Sequence, residues 1–503
     1  MSSPTEYTSL LDRSAVSTQS SRKWKATWKK WRTPILCYAV ALTFDFAESM
    51  RSTPRTQLFE WILCERYYSI KMLKSVGMPI LNPNPSVGPT PHMCRIDTIQ
   101  TQVNSVRAWL KIGENFFAAI LAIPFGKLAN TKGRKLVLAL GIIGQLLAEM
   151  WTLAVCFLST HGLPLSTVYI SVLLRSLGGG QMVLSAILHA IVADVVTEEK
   201  RARAFFHMAS MTLISELLGP AVGSVLMTSY NAYIPLLAVL PLQLGSIAAV
   251  IAMQDTVRFT NEDNADFGNE DEESDNGSTM VQESTRLTIS QALRIFLKWM
   301  KMACRIFNRE NIPILLVHIG FLTSMVARET LDSLVQYVSN RFGWTLAEAN
   351  YLVSLKALVN LILFLLLLPL ISGSLIKYTS MSSRNADLWI ARGSSLFGVI
   401  GPTLLGIASS PLSMILSLIL FTLSSGYPHV IQSYGTFLVK PADVAPFYSS
   451  LAMVRIVGTL VASPLLAMAF NIGLERRGDW FGILYYTAGI LFCFAAFGAW
   501  GLK

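Results

Sequence analysis

The chain has 503 residues, 52% of them hydrophobic and 14% charged, with 41 Lys and Arg against 31 Asp and Glu for a formal net charge of +10. A soluble domain carries about 25% charge, so this chain lacks the polar groups to cover a water-facing surface of its size, and soluble enzymes and nucleic-acid binders are poor readings. The basic excess fits loops facing anionic lipid, and six cysteines in a chain of this length are too few for a disulfide scaffold.

Residues 1–33 are polar, then basic, and carry Trp24, Trp28 and Trp31 among lysines. They read as a cytoplasmic tail with an aromatic and basic anchor in the headgroup zone. A signal peptide would start its apolar run much earlier. Crossing about 30 Å of hydrocarbon takes near twenty apolar residues. Such stretches lie near 34–51, 105–125, 136–158, 165–188, 204–228 and 232–253, and again near 311–335, 348–370, 388–408, 411–433, 444–470 and 480–501. The expected fold is therefore an all-α membrane protein of twelve spans: one six-helix unit over 34–253 and a second over 311–503.

Residues 52–104 read as a long outer loop holding Arg51 at its edge, Arg55, the turn-rich run NPNPSVGPTP, and Cys64 and Cys94. Those two cysteines are either bridged outside the cell or two unpaired thiols. Between the halves, 254–310 begins as an acidic linker, disordered on its charge, and ends as a basic, amphipathic surface helix over 286–309. Basic clusters in the tail, at 127–135, at 200–203 and at 286–309 fall on one side for an even number of spans, with both termini cytoplasmic.

Charges inside the spans are the candidate site, because a charge at membrane depth is costly unless it is paired or faces a cavity. Asp45 and Glu48 share a face of the first span. Asp45 is the deeper and reads as a proton-binding or substrate-contact carboxylate, with Arg175 of the fourth span as its partner; Glu48 lies nearer the outer edge. Glu216 in the fifth span lines the cavity or pairs across a helix interface. Glu329 and Asp332 of the seventh span share a face, with Lys356 of the eighth as their cation, either as an outer gate or as a substrate site. Arg455 in the eleventh span is placed to bind an anionic group. Gln181, Asn360 and Gln432 add orienting hydrogen bonds, and His429 belongs with Gln432 to a polar set beside Pro428, in a helix of the kind that breaks at transporter binding regions.

The segment GKLANTKGRK at 126–135 is a Gly-bounded basic turn between antiparallel helices. It resembles the signature loop of the major facilitator superfamily at Gly126, Leu128, Gly133, Arg134 and Lys135, and departs from it at Asn130, where the family most often has Asp. That departure implies a weaker cytoplasmic charge lock or a hydrogen-bonded substitute. Arg175 followed by SLGGG, the GPAVG run with Gly219, Pro220 and Gly223, and Asp194 with the charged residues after it resemble further family patterns. GPAVG is similar to a motif of drug and metabolite antiporters, while the acidic first span is similar to the proton-coupled folate and haem-carrier branch in fungi. The resemblance covers 34–501 and implies two bundles around a cavity that opens alternately to each side.

The expected function is secondary active transport without cofactors: proton-coupled efflux of a drug-like compound or secondary metabolite by a monomer in the plasma membrane rather than the vacuolar membrane. Uptake of a small organic anion or nutrient is the alternative, and a non-transporting receptor the second alternative. The expected partners are a small-molecule substrate and membrane lipid, with no nucleic acid and no metal. No GxxxxGK[ST] phosphate loop and no HExxH motif occurs in the chain.

Overall fold

The computed structural model describes residues 5–76, 94–159, 162–196, 198–253, 312–439 and 444–502, and no strand occurs among them. The N-terminal half contains α1 (Thr5–Val76), α2 (Asp97–Lys132), α3 (Arg134–Ser159), α4 (Ile170–Arg175), α5 (Gly180–Val195), α6 (Glu198–Ser229) and α7 (Tyr233–Ala252). The C-terminal half contains α8 (Ile312–Arg328), α9 (Leu334–Phe342), α10 (Leu346–Ile362), α11 (Leu368–Thr379), α12 (Ser383–Ile407), α13 (Pro411–Leu423), α14 (Tyr427–Thr436), α15 (Val444–Arg476) and α16 (Ile483–Gly501). The pairs α4–α5, α8–α9, α10–α11 and α13–α14 are single rods broken by short 3-10 or π turns, so each half runs as six rods. Ten helical rods among the described residues are long and apolar enough to cross a membrane. α1 and α2 are outside that number; their apolar stretches carry Asp45, Glu48 and Arg51, and Arg107, Lys111 and Glu114.

Helices close their own backbone hydrogen bonds, which is why a spanning chain uses them. Local chemistry sets several ends. Thr345 and Glu348 form a capping box that starts α10, and Ser410 caps α13. The two halves have separate cores, one around Val137, Leu138, Ile142 and Val192, the other around Tyr337, Tyr427, Tyr485 and Phe492. The outer surface is apolar: Leu370, Met468 and Phe497 are 64%, 63% and 77% exposed, exposures that suit hydrocarbon rather than water.

The expected outer loop over 52–104 is mostly helix. α1 continues through Pro54 to Val76 and α2 begins at Asp97. Arg51, placed at the edge of that loop, lies inside α1, is only 1% exposed and pairs with Glu48 and Glu149. The stretch left between the expected spans 348–370 and 388–408 is also mostly helix, because α11 reaches Thr379 and α12 starts at Ser383. The NPNPSVGPTP run, the acidic linker with its amphipathic helix, and the side chains of Trp24, Trp28 and Trp31 lie outside the described residues.

Cys64 on α1 and Cys94 before α2 form a disulfide, with Cα atoms 5.2 Å apart and 30 positions between them in sequence. A closure of this length restricts the unfolded chain by about 3–4 kcal/mol. Cys64→Ser is expected to lower the thermal unfolding midpoint of the purified protein, and reductant to lower the native midpoint without affecting the variant. Equal sensitivity of both proteins to reductant would remove the bridge as a stabiliser.

Two glycine clusters set the helix approaches. Gly178 has φ 81° between α4 and α5, a left-handed conformation suited to glycine. A side chain there would also run into the backbone of Gly141 on α3. In GPAVG, a Cβ on Gly219 would lie 2.8 Å from Ser49 Cβ, and one on Gly223 would lie 2.7 Å from the carbonyl oxygen of Met50. This run is the contact by which α6 lies directly against α1, beside the charged part of the first rod.

Candidate functional site

The N-terminal half encloses a group of arginines and glutamates. Arg51 pairs with Glu48, one turn away on α1, and with Glu149 of α3, which is fully buried. Arg175, 5% exposed at the end of α4, places Nη2 2.8 Å from Glu149 Oε1 and Nη1 3.2 Å from Glu114 Oε1 and 3.8 Å from Glu48 Oε2. Two guanidiniums thus share three carboxylates contributed by α1, α2 and α3. Mutual pairing is what makes such burial tolerable.

This arrangement corrects the expected Asp45–Arg175 pair. Asp45 instead accepts a hydrogen bond from Thr212 Oγ1 of α6 at 2.6 Å and makes no ion pair with a described residue. Its neighbour Glu48, expected near the outer edge, is the residue that pairs with Arg51 and Arg175. Spacing put Asp45 and Glu48 on one face but left open which of them reached Arg175. Glu149 and Glu114 were missed, although the signal was present: each is an acid inside an otherwise apolar stretch.

Two adjoining cavities share Glu114, Asn115 and Gln181 in their walls. The first, about 770 Å³, lies between the halves. Asp45, Arg175, His189 and Met208 line its N-terminal side, and Ala452 and Arg455 of α15 face them. The second, about 460 Å³, holds Glu48, Glu216, Glu329, Asp332 and Lys356 in its walls. Asn360, His429 and Gln432 line neither cavity. Asn360 is 5% exposed, and the His429 ring packs edge-on against Phe364 with centroids 5.2 Å apart.

The halves are joined at the end of the bundle that carries Val76 and Asp97. Lys111 of α2 reaches across to both Glu329 and Asp332. It takes the place expected for Lys356, which lies nearby in the cavity wall but forms no ion pair with a described residue. The expected pairing kept within one half; Lys111 sits one helix turn before Glu114, and nothing in the sequence aims it at the other half. Beside it, Arg107 donates to Gln336 Oε1 at 3.0 Å and to the Asp332 carbonyl at 2.8 Å. Gln336 donates to Gln100, and Asn104 to Asn471 at 2.9 Å. Arg95, next to the disulfide, donates to the carbonyls of Gly343 at 2.6 Å and Trp344 at 2.8 Å. Arg477 pairs with Asp97 at 2.8 Å, and this hydrogen bond raises the arginine above its usual pKa. Asn350 of α10 bonds the Pro220 carbonyl at 2.8 Å and accepts from Thr53 at 2.7 Å.

At the opposite end, Gly133 has φ 101° and turns the chain from α2 into α3. Arg134 pairs with Asp194 at the end of α5 and donates to the Ala190 carbonyl at 2.6 Å. Lys135 donates to the carbonyls of Ile251 and Met253 at 2.9 and 2.8 Å, satisfying the end of α7. Gly126 does not bound the turn: it lies inside α2, and a Cβ there would meet open space. The side chain of Asn130 lies outside the described residues.

Comparison with known proteins agrees with this architecture. Residues 108–463 match the family model described as Major Facilitator Superfamily. An efflux pump of Emericella nidulans, atnC, is 32% identical over 461 residues, covering 90% of this chain and 84% of the relative. An MFS-type transporter of Aspergillus versicolor, avaK, is 26% identical over 466 residues, covering 92% and 91%. Among solved structures, a D-xylose–proton symporter aligns with TM-score 0.62 at 10% identity, covering 94% of this chain and 97% of its own. The human organic anion transporter MFSD10 aligns with TM-score 0.58 at 12% identity, covering 93% and 99%. At these identities the two structures establish likeness of fold alone.

Proposed function

The chain belongs to the Major Facilitator Superfamily and is a multi-pass membrane transporter rather than an enzyme, and on that premise we propose that it exports a small organic compound, drug-like or a secondary metabolite, by proton-coupled alternating access. The observation that carries the reading is the cavity between the halves. At about 770 Å³ it falls in the range of pockets for drug-sized ligands. Both halves contribute to its wall, so rocking one against the other changes its access.

Val76 and Asp97 lie on the outer side in this reading, and both termini are cytoplasmic. The cross-half bonds around Lys111 then form the outer gate. The Arg134–Asp194 pair braces the inner end of the N-terminal half. The export direction rests on the relatives named as efflux pumps. Asp45 is the proposed proton carrier: it lines the cavity and among the described residues holds only a hydroxyl partner, so a proton can be added without breaking an ion pair there.

The test is flux of a panel of drug-like fluorescent compounds in sealed vesicles, with and without an imposed pH gradient. Asp45→Asn is expected to abolish gradient-driven accumulation while keeping downhill exchange. Native proton flux accompanying the compound in D45N would move the carrier role to Glu216 or to the Glu329–Asp332 pair.

A further inference from the structure

The polar groups of the larger cavity are unequally engaged. Its acids are occupied. Asp45 Oδ2 accepts from Thr212, and Glu114 holds Arg175 at 3.2 Å. Arg175 in turn is surrounded by Glu48, Glu114 and Glu149, so its charge is compensated inside the N-terminal half. Arg455 on the opposite wall is different. It is exposed to the cavity and makes no ion pair or hydrogen bond with a described residue. Glu329, whose field reaches Arg455, is already bound to Lys111. Arg328, another charged neighbour of this part of the C-terminal half, is itself a cation and donates to the Ser425 carbonyl at 3.0 Å.

The neutral amides of the same cavity have spare donors. Asn115 Nδ2 has no partner among the described residues. Gln181, exposed in the wall shared by both cavities, makes no side-chain hydrogen bond with a described residue. The wall also carries apolar side chains, among them Phe44, Val172, Met182 and Ile456.

We infer that the transported compound is an amphipathic organic anion whose acidic group is held by Arg455, while its apolar body lies against Phe44, Val172 and Met182. This rests on the transport reading of the same cavity and narrows its substrate class. A guanidinium without a protein partner is matched by a carboxylate, sulfonate or similar acceptor, to which it donates in a fixed fork.

The test uses two probes of nearly equal shape, naphthalene-2-sulfonate and naphthalene-2-sulfonamide. The sulfonate stays ionised and does not leak through lipid as a neutral acid. Flux is measured in proteoliposomes containing the purified full chain. The native protein is expected to carry the sulfonate about tenfold faster than the sulfonamide, and Arg455→Gln to bring the two within about twofold, while Arg455→Lys keeps part of the preference. Unfolding midpoints of both variants identify any loss that comes from misfolding, and R455K supplies the charge without the fork. Equal native rates for the two probes, or an undiminished preference in R455Q, overturns the anion proposal and leaves transport standing. Flux of neither probe above protein-free vesicles counts against the transport reading of the cavity itself.

Discussion

Glu149→Ala is expected to be the most damaging single substitution in the N-terminal half, costing about 3–5 kcal/mol, the usual effect of removing one partner from a buried ion pair. Glu149 is fully buried and pairs with both Arg51 and Arg175, which are themselves 1% and 5% exposed. Without it, two guanidiniums remain in the bundle with Glu48 and Glu114 as their described counter-charges. The loss should appear as poor recovery of folded protein and a lower unfolding midpoint in detergent. A double-mutant cycle separates this cause from simple loss of packing. Arg51→Met in the Glu149→Ala background removes one stranded cation and should recover part of the stability. If the double variant is as unstable as the sum of the singles, the pair is uncoupled and this account of the core is wrong.

Lys111→Met should release the end of the bundle that carries Val76 and Asp97. Lys111 is the cation between Glu329 and Asp332, and it comes from the opposite half. Its removal leaves two carboxylates one turn apart without that counter-charge, and it weakens the contact that holds α2 against the turn between α8 and α9. A change of about 1–3 kcal/mol between conformations corresponds to roughly 5–150-fold in their ratio. The readout is a cysteine placed at Ser52, in the wall of the smaller cavity, in a background whose unpaired cysteines are replaced. Labelling by a membrane-impermeant maleimide from the side of Val76 and Asp97 should be faster by about tenfold or more in K111M, and Lys111→Arg should restore slow labelling. Unchanged labelling in K111M would show that the gate is held by the neighbouring bonds of Arg95, Arg107 and Gln336 without help from Lys111.

Both experiments concern residues that the sequence reading did not single out. The chain's composition and its run of apolar stretches determine a helical membrane protein, because hydrocarbon excludes unpaired backbone and requires about twenty apolar residues per crossing. The turn at Gly133 and the close approach at Gly219 are also legible locally, since each depends on a missing side chain within a short motif. Charges inside spans identify Asp45, Glu48, Arg175, Glu329 and Asp332 as residues that need partners or a cavity. Sequence spacing does not say which partners: helix periodicity places Asp45 and Glu48 on one face but carries no information about which of them meets Arg175 or Thr212. Tertiary packing decided that Arg175 joins Glu114 and Glu149, that Lys111 rather than Lys356 reaches Glu329 and Asp332, and that Arg51 is a buried core residue instead of a loop charge. Ion-pair energy depends on distances of a few ångströms, and those distances are set by how α1, α2, α3 and α8 cross, a property of the assembled bundle and of no single segment.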